Sequence, residues 1–253
     1  MENGLKFVCT AILFSVMFYF PGCHTKQSVN TGSSRPKTFL WAWERKEDLR
    51  FLKDDSIGVA YYAQTLVIEK VGVRVLPRRN QLYVNPNTYL IAVTRIESAP
   101  DYRFSDSEVD SVSSSILKTL KFKNIKEIQI DFDAVVAERL AYRKLIEKVR
   151  QNLPSDSVLT ITALASWCSF DKWFGLMPVN EAIPMLFDMG TDKAKIEQYL
   201  SEGKDWNEEA CKKSYGLSID QKLQTTLRRG RTTYYFSSKR WRASDLERIN
   251  YEE

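Results

Sequence analysis

The sequence predicts an α/β chain folded as a closed (β/α)8 barrel, TIM-like and slightly small, and three observations lead there. From residue 37 onward, apolar β-type segments alternate with helical ones, giving about eight strands in roughly 215 residues. Parallel strands need a crossover between them, and eight such units fit a barrel whose usual size is about 250 residues. Only 10 of the 253 residues are glycine and no GxGxxG turn is present, which disfavours an open doubly wound sheet, the runner-up fold. Polar residues, finally, fall at the ends of many strands and not at one switch point.

Taken in order, Phe39–Glu44 (FLWAWE) reads as the first strand and Lys46–Lys53 as a short helical stretch. Ile57–Glu69 is a strand rich in β-branched and aromatic residues. Between the second and third strands, Val71–Leu76 and Gln81–Val84 flank Pro77-Arg78-Arg79-Asn80 and read as an inserted hairpin. Thr88–Glu97 is the third strand. Asp106–Lys121 then places Val109, Val112, Ile116, Leu117 and Leu120 at helical spacing behind a Ser105 or Asp106 cap. Glu127–Asp133 is a strand, and Val136–Leu153 is the clearest helix, with Leu140, Leu145 and Val149 facing inward and Pro154 stopping it. Val158–Trp167 and Ala182–Met189 are strands, Asp192–Leu200 is a helix, and Tyr215–Asp220 and Thr233–Ser237 complete the set.

The domain organisation reads as a signal over residues 1–22, a tether over 23–36 and the barrel over 37–253. Lys6 precedes the apolar run Phe7–Phe20, which is shorter than the roughly 20 residues a membrane-spanning helix needs. Gly22-Cys23 resembles the lipobox of bacterial lipoproteins. That resemblance implies lipidation at Cys23, a membrane anchor and a place in the cell envelope. Phe20 and Pro21 depart from its pattern, and a plain secretory signal or a retained anchor helix are the alternatives. With Cys9 in the signal and Cys23 in the anchor, Cys168 and Cys211 remain. In an oxidising compartment they most simply pair as one structural disulfide, the rival being a catalytic thiol with no histidine to activate it.

Composition then narrows the chemistry. The chain holds 37 Lys+Arg against 32 Asp+Glu, and 37 − 32 = +5 is spread without a dense basic block, so nucleic acid is not an expected partner. The single histidine, His24, lies in the tether, which disfavours a Ser-His-Asp triad, a His-built zinc site and a histidine base. Neither cofactor nor metal is expected, and a monomer is. Carboxylates, arginines and aromatics are left to do the work.

Those residue types gather at the strand ends: Trp43 and Glu44, Tyr61, Arg95, Asp131 and Asp133, Trp167, Asp188 and Trp241. Carboxylates accept hydrogen bonds from sugar hydroxyls, and indole faces cover the apolar faces of a sugar ring. Asp131 and Asp133 are the sharpest pair. At i and i+2 on one strand they share a side, with Cα atoms roughly 6.5–7 Å apart, while Ile128 and Ile130 face the helix layer. Two neighbouring acids in a barrel mouth cannot cheaply both be ionised, and the resulting inequality suits general acid–base chemistry. A helix cap or a pairing with Arg95 is the competing role for either one. Glu138 is a third acid within reach, or else a first-turn glutamate favoured by the helix dipole.

The segments FLWAWERKEDLRFL, IQIDFDAVVAERLAYRKL, LTITALASWC, AIPMLFDMG and FSSKRW resemble a family of exported bacterial proteins catalogued as domain of unknown function 3142, over about residues 38–242. The resemblance implies a glycoside-hydrolase-like barrel. IQIDFD and MLFD are also similar to the fourth- and sixth-strand motifs of the chitinase-type family 18 hydrolases, which places Asp131, Asp133 and Asp188 on conserved aspartates. The proton-donor glutamate of that pattern falls at Val135 and its tyrosine at Phe187, so substrate-assisted hydrolysis does not carry over. Two functions follow as expectations. One is an exported, lipid-anchored glycoside hydrolase with Asp131 and Asp133 holding substrate, Glu138 or Glu44 donating the proton, and Trp43, Tyr61, Arg95, Trp167, Asp188 and Trp241 binding carbohydrate. The other is a non-catalytic barrel that binds glycan or protein.

Overall fold

The computed structural model describes Met1 and residues 35–53 and 55–249. The signal segment, Cys23 with its expected lipid, His24 and all of the tether before Arg35 lie outside the described residues. Among the described residues eleven strands form: β1 (Thr38–Ala42), β2 (Glu47–Asp48), β3 (Ile57–Glu69), β4 (Gly72–Pro77), β5 (Leu82–Tyr83), β6 (Leu90–Ser98), β7 (Ile125–Asp131), β8 (Val158–Leu164), β9 (Glu181–Met185), β10 (Ser214–Ser218) and β11 (Thr232–Phe236). Eight of them, β1, β3 and β6 to β11, pair in parallel in that order, and β1 closes the ring by bonding both β3 and β11. The chain is a (β/α)8 TIM-like barrel.

The small size has a plain cause: helices are missing or stunted at several crossovers. α1 (Val109–Leu117) follows β6, α2 (Arg139–Asn152) follows β7, the short α3 (Ala165–Ser169) follows β8, α4 (Lys193–Ser201) follows β9 and α5 (Leu246–Ile249) closes the chain. Among the described residues no α-helix lies between β1 and β3 or between β10 and β11. The expected helical stretch at 46–53 is instead β2 and a turn, because Glu47 and Leu49 donate their amides to the carbonyls of Gln81 and Tyr83. That pairing also corrects the inserted hairpin. β4 runs back antiparallel along the far half of β3, while β5 joins β2 in a separate parallel ribbon. Leu140, expected inward, is 66% exposed; α2 packs through Ala141, Tyr142, Leu145, Ile146 and Val149.

Two-residue alternation sorts the strands into two cores. Outward residues such as Leu40, Val59, Ile128, Ile130 and Ile161 pack under the helices, and inward ones such as Phe39, Trp41, Ile91, Val93, Ile183 and Tyr234 fill the barrel. Gly58 is a consequence of that filling, since a Cβ there would stand 2.4 Å from the Phe39 ring. A bulge at Ala63, between the Tyr62–Val93 and Gln64–Thr94 pairs, shifts the register of β3 against β6. Cys168 and Cys211, both fully buried, form the disulfide that ties α3 to the segment before β10.

The inward row of β7 is polar throughout: Glu127, Gln129 and Asp131. Such groups are tolerated inside only with partners. Gln129 accepts from the Trp41 indole at 3.0 Å. At the barrel floor Arg35 bonds Glu127 through two nitrogens at 2.9 and 3.1 Å, reaches Glu181 at 2.9 Å and donates to the Tyr234 hydroxyl at 2.6 Å. The tether expectation is therefore corrected at its end, because Arg35 already belongs to the fold.

One guanidinium serves two carboxylates there, and Glu181 Oε1 is buried with no hydrogen-bond partner. Burial raises the Glu181 pKa above its ordinary 4.5, with Arg35 pulling it back and Glu127 adding to the rise. The folded state thus keeps this proton to higher pH than the unfolded chain, and stability is lost as pH climbs from about 4.5 through the raised value. Urea unfolding is expected to show Glu181→Gln at least as stable as wild type at pH 7, with less loss as pH rises above about 4.5. Arg35→Met leaves both acids buried without their cation and is expected to cost about 3 kcal/mol.

Candidate functional site

At the opposite, C-terminal end of the strands lies a cavity of about 510 Å³. Asp131 closes its base, 4% exposed, and Asp133, two residues on, stands exposed at its side. Both acids line the same space, as the alternation along EIQIDFD requires, although β7 itself ends at Asp131. Arg95 at the mouth of β6 donates Nη1 to Asp131 Oδ2 at 3.0 Å and Nε to Glu97 at 2.7 Å, and its guanidinium covers the Trp43 ring at 5.5 Å. The other oxygen of Asp131 accepts from the Thr162 hydroxyl at 2.6 Å. Each oxygen of Asp131 thus has a partner.

Asp133 is different. Among the described residues no lysine or arginine lies within ion-pair distance of it. Although its side chain reaches solvent, the protein around it displaces much of its hydration and raises its pKa above the ordinary 3.8; the charge of Asp131 raises it further and Arg95 pulls the other way. The two acids are held in unequal states by their surroundings, one clamped to a cation and one inclined to keep its proton.

The remaining wall is aromatic and acidic. Trp41, Trp43, Phe187 and Phe236 supply the apolar faces, with Trp41 and Trp43 edge-to-face at 4.3 Å. Asp188 and Asp192 line another side, also without a cation within ion-pair distance. Asp188 sits at φ 48°, in the left-handed region, where Gln221 meets both its amide at 3.0 Å and its carboxylate. Among the described residues no three His, Cys, Asp or Glu side chains are grouped so as to hold a metal ion.

Of the residues chosen from sequence, Asp131, Asp133, Arg95, Trp43 and Asp188 converge on the cavity, and five do not. Glu138 is buried and accepts from Ser98 Oγ, from the Phe104 amide at 3.2 Å and from the Val135 amide at 3.0 Å; it is the first-turn acid that ties the loops after β6 and β7. Glu44 accepts from the amides of Arg79 and Asn80 at 3.0 and 2.9 Å and from the Asn80 side chain, holding the segment between β4 and β5 to the end of β1. Tyr61 has outward parity and packs in the outer core, whereas Tyr62, beside it, lies 6.5 Å from the Trp43 ring. Trp167 falls in α3, not on a strand, and is buried against Trp173 and Phe174. Trp241 is 4% exposed and donates its indole N–H to the Trp41 carbonyl.

Comparison with protein-family models, curated proteins and solved structures found no match. The site must be read from its own geometry.

That geometry includes residues the sequence did not single out. Trp41, a mid-strand tryptophan of the kind that ordinarily fills a core, is 1% exposed and yet lines the cavity. Arg78, between β4 and β5, donates to the carbonyls of Trp43 at 2.6 Å and of Ala42 and Tyr62 at 3.3 Å, satisfying the loose end of β1 and fixing Trp43. Its Pro-Arg-Arg-Asn setting reads only as a turn.

The two states of the acids predict opposite responses to removal. Arg95→Met strands a buried Asp131 and uncovers Trp43, and is expected to cost about 2 kcal/mol in urea unfolding at pH 7. Asp133→Asn breaks no ion pair and is expected to stay within about 0.5 kcal/mol of wild type.

Proposed function

We propose that the barrel mouth binds and hydrolyses a polysaccharide, with Asp133 as the proton donor and Asp131 as its charged neighbour. The observation that carries this reading is the unequal acid pair beneath an open, aromatic-walled cavity: a carboxyl inclined to stay protonated beside one clamped by Arg95 and Thr162. In glycoside hydrolysis a raised acid protonates the leaving oxygen, and nearby carboxylates stabilise the oxocarbenium-like charge or activate water. Asp188 and Asp192, on another wall of the same space, are the carboxylates available for the second task. Trp43 and Phe187, half-buried, offer faces on which a sugar ring stacks. Four aspartates against one arginine favour neutral or cationic glycans and oppose polyuronates or sulfated chains.

The donor is thus moved from Glu138 and Glu44, whose carboxylates are consumed by loop contacts, to a residue that is free. The likeness of IQIDFD and MLFD to glycoside-hydrolase strands supports the same site. Export, a lipid anchor at Cys23 and a place in the cell envelope belong to the same proposal and rest on the N-terminal sequence. A second reading, a barrel that binds glycan without turnover, is favoured by one observation: both oxygens of Asp131 are already engaged, by Arg95 and by Thr162, as in a structural acid.

Reducing-sugar release from a panel of neutral glycans separates the two. Asp133→Asn is expected to lower release at least 100-fold, within the usual range for losing a general acid, while leaving glycan affinity within threefold. Because an acid works only while protonated, wild-type activity is expected to fall as pH rises through the Asp133 pKa. Turnover unchanged in Asp133→Asn removes it from the chemistry; binding with no turnover by wild type favours the second reading.

A further inference from the structure

The cavity does not end at the acids. A second hollow of about 410 Å³ adjoins it, and the two share Arg95, Asp131 and Asp133 as a common border. Its own lining is polar, with Glu97, Ser98 and Arg103 facing Val135 and Pro100. The loop that could have walled it off is held down instead. Glu138 takes the Ser98 hydroxyl and the Phe104 amide, Tyr102 donates its amide to Ala99 O at 3.0 Å, and Arg103 donates to the carbonyls of Ala99 and Tyr102. A site for a single terminal sugar would stop at the carboxylates. This one continues past them.

The geometry points to a chain ligand: a saccharide that crosses Asp131 and Asp133 and occupies a hollow on each side, so that attack falls within the chain and not at its end. This deepens the proposed reading and rests on it. The aromatic hollow holds sugar rings by their faces, and the polar hollow holds the continuing chain by its hydroxyls, with Arg103 and Glu97 as donor and acceptor. Glu138, set aside as a proton donor, acquires a positioning role here, since it keeps the floor of the second hollow open.

Blocking each hollow separately tests this. Val135, 49% exposed, lines the second hollow, and Thr191, also exposed, lines the first, so a bulky side chain at either fills space without entering a core. The probes are linear β-1,4-linked hexasaccharides of glucose, N-acetylglucosamine, mannose and xylose with the matching disaccharides, titrated calorimetrically against Asp133→Asn protein to prevent turnover. Circular dichroism checks the fold of each variant. The tightest hexasaccharide is expected to bind at least tenfold better than its disaccharide, and to lose at least tenfold on adding either Val135→Trp or Thr191→Trp. Loss with Thr191→Trp but wild-type affinity with Val135→Trp overturns the two-sided chain while leaving a one-sided saccharide site. Failure of all probes to bind overturns both readings.

Discussion

An acid pointed into a closed barrel must find a cation, and β7 points two of them inward, at opposite ends of one strand. Glu127 meets Arg35 at the floor and Asp131 meets Arg95 at the mouth. Breaking either pair would leave a carboxylate stranded in the interior, which is far costlier than never having built the pair. The two arginines arrive from different places, one from the segment before β1 and the other from β6, next to β7. Closure of the barrel, which brings β1 round against β11, is what puts Arg35 near Tyr234 and Glu181 as well as Glu127. The floor is thereby cross-linked, and at the mouth Arg95 leaves Asp133 without an ion-pair partner.

That asymmetry is the origin of the site. Had Asp133 been clamped like Asp131, the mouth would hold a neutral salt-bridge network and no reactive group. Arg95 instead spends its nitrogens on Asp131 and Glu97 and its face on Trp43. Asp133 loses hydration to the protein around it and feels the charge of Asp131 more than that of Arg95, so its proton is held more tightly. The segment between β4 and β5 and the loop after β6 act from outside: Arg78 binds the Trp43 carbonyl, and Glu138 ties the loops after β6 and β7 together. Elements that resemble decoration in the chain set the shape of the mouth.

Much of this was legible from residue pattern, and the parts that were not share a cause. Strict alternation in EIQIDFD and ITAL gives strand and face together, because a strand buried on both sides has only two directions to offer. The clear failures lie where the chain leaves that regime. WAWE and ALASW both end in residues placed past the last strand position, so Trp167 turns into α3 and the outer core. Tyr61 and Tyr62 are adjacent and equally plausible by composition; parity with Ala60, which faces the interior, decides for Tyr62. Lys46–Lys53 carries a helical composition but is captured as a strand by Gln81 and Tyr83, a long-range pairing that local propensity does not encode. Glu44 and Glu138 were chosen for chemistry, yet a carboxylate near a chain turn is most often taken by backbone amides, and here both are.

The account stands on the inequality of Asp131 and Asp133, and the most direct measurement is a carboxyl-carbon NMR titration of protein labelled at aspartate, with Asp133→Asn assigning the resonance. Asp133 is expected to titrate above the ordinary 3.8, and to move down toward it in Asp131→Asn, where the neighbouring charge is gone and Arg95 is released. A midpoint at or below 3.8 in wild type, or one indifferent to the loss of Asp131, would contradict the proposed division of labour at the barrel mouth.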